Sequence, residues 1–153
     1  MRNKIIADFA KEVDIDIWMN LVEIVKEDFP GLIIEDYRKI LKEGIQQRTA
    51  LIVKDKTKAI GVLIFSYENK EIAFLAVHPQ YRKEGIATAL FNKMYNQFPK
   101  GTEIAVTTYR ENDTKGKAAR ALYKRLGFIQ DELIMEFGYP CQRFIFNDKY
   151  KRI

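Results

Sequence analysis

The sequence predicts an α/β (α+β) chain: a mixed central sheet of about seven strands with helices on both faces, in the order β-α-α-β-β-β-α-β-α-β-β. Three observations predict it. Short runs rich in branched apolar residues, such as TALIVKD and EIAVTTY, alternate with longer stretches whose apolar residues recur at helical spacing. Two of the runs, AIGVLIFSY and EIAFLAV, are almost wholly apolar, as strands buried on both faces are. A tight polar turn, Glu68-Asn69-Lys70, joins those two and makes them an antiparallel pair.

In chain order, KIIADF (4–9) reads as the first strand. DIDIWMNLVEIVKEDFP follows, with Ile17, Trp18, Leu21, Val22, Val25 and Phe29 at helical spacing, and Pro30-Gly31 ends it. IIEDYRKILKEGIQQ (33–47) is a second helix, with Tyr37, Ile40, Leu41 and Ile45 on one face. Residues 49–55 are a strand, 56–58 a turn, and 59–67 and 71–77 the two central strands. The stretch from Glu84 to Phe98 is amphipathic, carrying Ile86, Leu90 and Met94, and Pro99-Lys100-Gly101 stops it. EIAVTTY (103–109) is a further strand. KAARALYKRL (117–126) is a helix, with Gly127 where a helix stop favours positive φ. GFIQDELIMEF and QRFIFN are two closing strands, split by a turn at Gly138-Tyr139-Pro140.

The totals narrow the function classes. A chain of 153 residues with 47% hydrophobic and 31% charged residues suits one soluble domain, 1–153. One cysteine, Cys141, allows no internal disulfide and no cysteine-rich zinc site. No apolar run approaches the ~20 residues of a membrane helix. The N-terminal MRNKIIADFAKEVD brings acids too early for a secretory leader, so a cytoplasmic location is expected, with no membrane association. The net charge of +5 attracts anions, but basic residues are interleaved with acids except in a small tail, Lys149 to Arg152. Charge alone therefore predicts no nucleic-acid partner.

The most informative stretch is LAVHPQYRKEGIATALF (75–91), a seam between a strand and a helix. A helix N-terminus leaves backbone N–H groups unpartnered and carries partial positive charge. Gly85 and the small Ala87 leave that backbone uncovered, and Arg82 and Lys83 add mobile positive charge. A phosphate or pyrophosphate is the natural guest. The bland alternative is a plain helix start with Gly85 as a turn residue. The usual nucleotide loops, GxxxxGKS/T and GxGxxG, are absent from the sequence.

VHPQYRKEGIATALF resembles the acyl-CoA-binding motif of the GNAT superfamily of N-acetyltransferases, Arg/Gln-x-x-Gly-x-Gly/Ala, filled here by Arg82, Gly85 and Ala87. ARALYKRLGF (119–128) resembles the superfamily's second segment, which ends in Leu-Tyr…Gly-Phe. With the element order, the resemblance covers nearly the whole chain. EDFPGL (27–32) and EFGYPCQRF (136–144) are similar to a bacterial subgroup whose acceptors we do not assign. The resemblance implies transfer of an acetyl group from acetyl-CoA, leaving CoA, to a primary amine of a small molecule or peptide. Folds of this kind suit a monomer or a homodimer. A non-catalytic acyl-CoA-binding sensor of the same fold is the alternative.

The resemblance further assigns residues. Cofactor contacts fall on Leu75, Ala76 and Val77, on Arg82, Lys83, Glu84, Gly85, Ile86, Ala87 and Thr88, and on Asn112 and Tyr123. The pantetheine arm runs beside the 75–77 strand at an edge opened by splaying from 103–109. The Val77 backbone N–H stabilises the oxyanion, and Tyr123, a phenol protonated at neutral pH, gives its proton to the departing thiolate. For Tyr123 the structural alternative is a half-buried packing aromatic. For Asn112, which lies farther upstream of Tyr123 than the family pattern expects, it is loop capping. His78, Asp28, Glu35, Glu71, Glu111 and Glu136 are the candidate bases, none singled out; His78 before Pro79 reads as structural. Cys141 lacks a histidine partner and reads as an ordinary thiol. Trp18, Phe29 and Tyr37 read mainly as core, with an acceptor pocket wall as their second role, and Tyr139 in the last turn is a further pocket candidate.

Overall fold

A computed structural model of the protein describes residues 4–148, so the basic tail at 149–152 lies outside the described residues. The elements are β1 (Ala7–Phe9), α1 (Ile15–Val25), α2 (Ile34–Gln47), β2 (Ala50–Asp55), β3 (Lys58–Ser66), β4 (Glu71–Val77), α3 (Ile86–Tyr95), β5 (Ile104–Tyr109), α4 (Lys117–Leu126), β6 (Ile129–Glu136) and β7 (Tyr139–Phe146). They follow the predicted order. The strand order in the sheet is β1-β2-β3-β4-β5-β7-β6. The chain divides into two compact units. One holds the chain up to Ser66 together with Ala73–Gln97; the other holds Tyr67–Ile72 and the chain from Phe98 onward.

In the first unit, β1 and β2 pair antiparallel with Phe9 opposite Leu51, and β2 and β3 do so with Leu51 opposite Leu63. Strand alternation sends Ala50, Ile52, Val62 and Ile64 to one face, where they bury Trp18, Leu21 and Val22 of α1 and Leu41 of α2. The indole of Trp18 keeps its polar atom satisfied by donating to the Tyr37 hydroxyl at 2.9 Å. On the opposite face, a Cβ built on Gly61 would run into the Ile86 side chain and come within 3.2 Å of Leu90. Glycine at 61 is what lets α3 lie close on β3.

In the second unit, the start of β4 runs parallel to β5, Glu71 opposite Ala105 and Ile72 opposite Val106. β5 pairs antiparallel with β7, and β7 with β6, whose register shifts between Gln130 and Leu133. Beneath α4, the rings of Tyr123, Phe128, Phe144 and Phe146 form an aromatic core with centroids 5.5–6.2 Å apart.

Four expectations are corrected. The last turn lies at Phe137 and Gly138, both with positive φ, which closes a two-residue hairpin; Tyr139 and Pro140 are already in β7, opposite Glu136 and Met135. The second helix buries Tyr37, Leu41 and Gly44, so Ile40 stands 51% exposed. β4 is not buried on both faces, since Ala73 at its middle is exposed. The helix expected from Glu84 to Phe98 occupies only 86–95, because Gly85 in a left-handed conformation caps it.

Candidate functional site

The seam after β4 lies in the first unit. His78 ends the strand by donating its N–H to the Ile60 carbonyl at 2.8 Å. Its Nδ1 then accepts the Gln80 N–H at 3.1 Å and so caps a single 3-10 turn, Pro79–Tyr81. Burial, helped by Lys58 and Arg82, holds the imidazole below its ordinary pKa and hence neutral. With one ring nitrogen used and the ring buried, His78 is a structural cap, as its place before Pro79 predicts. Tyr81 anchors the other end of the turn, its hydroxyl donating to Asp55 at 2.8 Å.

From that anchored turn the chain swings through Arg82, extended, and Lys83 and Gly85, both with positive φ. Gly85 starts α3 with no side-chain cap, and no acid sits in the first turn. The first bond of the helix runs from the Ala89 N–H to the Gly85 carbonyl at 3.0 Å. The N–H groups of Ile86, Ala87 and Thr88 therefore have no partner within the helix. A Cβ built on Gly85 meets nothing within 4 Å, so no described atom crowds the chain at the residue that starts the helix. Ile86 and Ala87 bury their side chains while Thr88 is exposed, which fixes the helix and leaves its end uncovered. Such an end attracts anions. Leu75 and Ala76 are buried, and Val77 is half-buried with its carbonyl accepting from Arg82 Nε at 3.3 Å. Arg82 also pairs with Asp28 at 3.3 Å, so its guanidinium is turned back from the loop rather than free. An exposed pair of this kind is worth about 0–1 kcal/mol and yields readily to a stronger anion.

Tyr123 and Asn112 belong to the second unit. Tyr123 is buried, and burial pushes its phenol up to about 12. Gly127 stops α4 at positive φ and turns Phe128 back, so that the Phe128 N–H bonds the Tyr123 carbonyl at 2.9 Å and the two rings meet at 5.7 Å. The Tyr…Gly-Phe pattern thus has a packing role whatever else it does. One turn before it, Arg120 is buried, donating to the Tyr109 carbonyl at 3.0 Å and to Gln142 at 3.3 Å. Cys141 is buried with its thiol pushed up, chiefly by burial, which makes it a poor nucleophile.

The seam after β5 builds a second feature, which sequence reading touched only at Asn112 and Tyr139. Asp113 N–H donates to the Arg110 carbonyl at 2.9 Å and closes a turn over 110–113. Arg110, Asn112, Asp113, Thr114, Tyr139 and Pro140 line a cleft of about 460 Å³. Asp113, not Asn112, does the capping: its Oδ1 accepts the Lys115 N–H at 3.0 Å, and its Oδ2 accepts the Tyr139 hydroxyl at 2.7 Å. Those two bonds hold its carboxyl below the usual range. The one legible signal was Asp113 two residues before Lys115, the spacing of a side-chain turn.

The candidate bases separate. Glu71 has its carboxyl pushed up, first by burial and then by Glu136. Trp18 is fully buried and Tyr37 nearly so, which makes both core residues rather than pocket wall, while Phe29 is half-buried against Phe74 at 4.5 Å. Among the described residues no cluster of His, Cys, Asp or Glu is fit to hold a metal, and no helix is long and apolar enough to cross a membrane.

Comparison with known proteins follows this geometry. The family model described as Acetyltransferase (GNAT) domain matches residues 46–130. A GNAT-family acetyltransferase from Bacillus cereus superposes with a TM-score of 0.73 at 21% identity, covering 95% of this chain and 98% of its own. The ribosomal-protein-S18-alanine N-acetyltransferase from Escherichia coli gives 0.68 at 15% identity, covering 94% of each chain. A chain of the NatC complex, solved with Gag peptide and CoA, gives 0.65 at 23% identity, covering 95% of this chain and 99% of its own. At these identities the likeness establishes the fold. A search of curated proteins finds no match.

Proposed function

This chain belongs to the GNAT acetyltransferase family, and from that premise we propose that it is an acetyl-CoA-dependent N-acetyltransferase acting on a primary amine. The observation that carries the reading is the uncovered start of α3 at Gly85. Open N–H groups, no competing acid in the first turn and two basic residues beside them suit the pyrophosphate of CoA. The whole chain acts as one acetyltransferase domain, since the matched segment draws on residues of both compact units.

When bound, acetyl-CoA supplies an acetyl group activated as a thioester. The N–H groups of Gly85 to Thr88 hold the pyrophosphate, Arg82 leaves Asp28 to join them, and Lys83 and Glu84 flank the loop. Leu75, Ala76 and Val77 offer backbone to the pantetheine arm. The Val77 N–H stabilises the carbonyl oxygen as it gains charge. The amine nitrogen bonds to the carbonyl carbon, the carbon–sulfur bond breaks with its electron pair on sulfur, and Tyr123 gives sulfur its proton. Burial keeps the phenol protonated throughout the working range, so it has a proton to share with sulfur. The proton lost by the amine passes to solvent, from which Tyr123 regains its own.

Calorimetry with CoA and with acetyl-CoA tests the binding step, and free-thiol release over a panel of amines tests turnover. We expect heat with both ligands and thiol release that depends on amine. Heat without turnover across the panel would make the chain a sensor; no heat with either ligand would overturn the reading.

A further inference from the structure

The cleft beside Arg110 has an unbalanced inventory of polar groups. Arg110 is fixed from two strands: Nε donates to the Cys141 carbonyl of β7 and Nη2 to the Ile134 carbonyl of β6, each at 3.1 Å. Its Nη1 has no partner among the described residues, and no carboxylate neutralises it. The Asn112 amide and the Thr114 hydroxyl line the same cleft and are likewise unbonded to any described residue. The one acid of the lining, Asp113, is already engaged by the Tyr139 hydroxyl and the Lys115 N–H. Lys115 reaches over it, Nζ donating to the Tyr139 hydroxyl at 3.0 Å. Glu111, within the same turn, does not line the cleft.

So the cleft presents unused donors on Arg110, Asn112 and Thr114, and its one carboxylate is already hydrogen-bonded. Arg110 is the one cation of the lining, and the one lining acid, Asp113, is held by the Tyr139 hydroxyl and the Lys115 N–H, so the guanidinium is the charged group left to receive an anion. A guanidinium locked in one plane presents its remaining donors in a fork that matches a carboxylate rather than a round ion. Tyr139, whose ring meets Tyr109 edge to face at 5.5 Å, and Pro140 provide apolar surface for the carbon skeleton attached to it. The volume of about 460 Å³ lies in the range of small-molecule sites.

We propose that this cleft is a carboxylate-binding subsite, with Arg110 as its anchor and Asn112 and Thr114 as supporting donors, and that it selects amine acceptors carrying a carboxylate, of the amino-acid type. The acceptor role rests on the acetyltransferase reading; the binding of a carboxylate does not.

The test uses the full chain labelled with nitrogen-15. N-acetylglycine, which has a carboxylate and no free amine, is titrated against it, with the neutral N-acetylglycine methylamide in parallel. The acid moves the Arg110 Nε–H signal and the amides of residues 112–114; the methylamide does not. Arg110→Lys keeps the charge and loses the fork, and weakens the acid at least tenfold. Asn112→Ala removes a side chain bonded to no described residue, so the fold is undisturbed, and weakens the acid severalfold. Equal responses to acid and methylamide, or none in either, overturn the subsite. In the turnover assay L-alanine is preferred over L-alaninamide by at least tenfold, and Arg110→Lys erases the preference; equal use of the two by the unaltered protein overturns the acceptor role. CoA calorimetry on the same sample separates the two readings. Acid binding without CoA binding removes the acetyltransferase and leaves the subsite, while CoA binding without acid binding removes the subsite alone.

Discussion

The two strand-to-helix seams are built alike and differ in what their glycines face. After β4 and after β5 alike, a single 3-10 turn leads to a glycine and then to a ten-residue helix with no acid in its first turn. At Gly85, φ is +85° and an added Cβ would stand in open space. At Gly116, φ is −94° and an added Cβ would lie 2.7 Å from Tyr109 Cβ and 3.3 Å from its backbone. No packing neighbour requires the first glycine, whereas the second is required by the chain packed against it. A local pattern shared by two seams therefore says little about function until the space around each is known.

Substitutions sharpen that contrast. Gly116→Val should cost the most stability, roughly 3 kcal/mol, because the obstructing atoms include strand backbone that cannot turn aside; a thermal melt reads it, and a loss below that of Gly85→Val would break the distinction. Tyr123→Phe, on the helix leaving the second seam, should lower turnover about a hundredfold with CoA affinity unchanged. Equal turnover would leave Tyr123 as packing alone. Gly85→Val should weaken CoA by at least about tenfold, ~1.4 kcal/mol, at a folding cost of about 1–2 kcal/mol for a branched residue at positive φ. Unchanged CoA affinity would make the two glycines equally structural.

The smallest effect concerns the turn that anchors the first seam. His78 has its folded pKa below the ordinary value through burial and two nearby cations. As pH falls below about 6.5 the unfolded chain takes the proton first, so the stabilisation is present above that pH and is lost on acidification. His78→Asn keeps an acceptor for the Gln80 N–H and removes the titration. The urea midpoint should thus fall less between roughly pH 7.5 and 5.5 in the variant than in the native chain, and parallel falls would remove His78 from the pH response.

How much of this was legible varied with the kind of signal. Every helix and strand was, because apolar spacing records which faces are buried. The seam before α3 stood out because Arg82, Gly85 and Ala87 are near neighbours in the chain, although the helix starts two residues later than its spacing predicts. The β6–β7 turn starts one residue earlier and ends two residues earlier than expected: Pro140 looks like a turn former, and nothing in a phenylalanine announces the positive φ that Phe137 adopts. β4 looked buried on both faces because an apolar run reports side chains and not neighbours, and Ala73 is exposed. The Arg110 cleft was not legible as a whole. Its parts lie about 30 residues apart, and Arg110 reads as an ordinary surface arginine until β6 and β7 supply the carbonyls that fix it.

The chain's one tryptophan, Trp18, is sealed in the first unit with its indole bonded to Tyr37. Its fluorescence therefore reports water entry into that unit alone, whereas far-ultraviolet ellipticity sums the helices and strands of both. A single denaturation followed by both signals asks whether the two halves melt as one cooperative body. Superimposed curves mean that they do; a gap between them means that each half keeps its own stability.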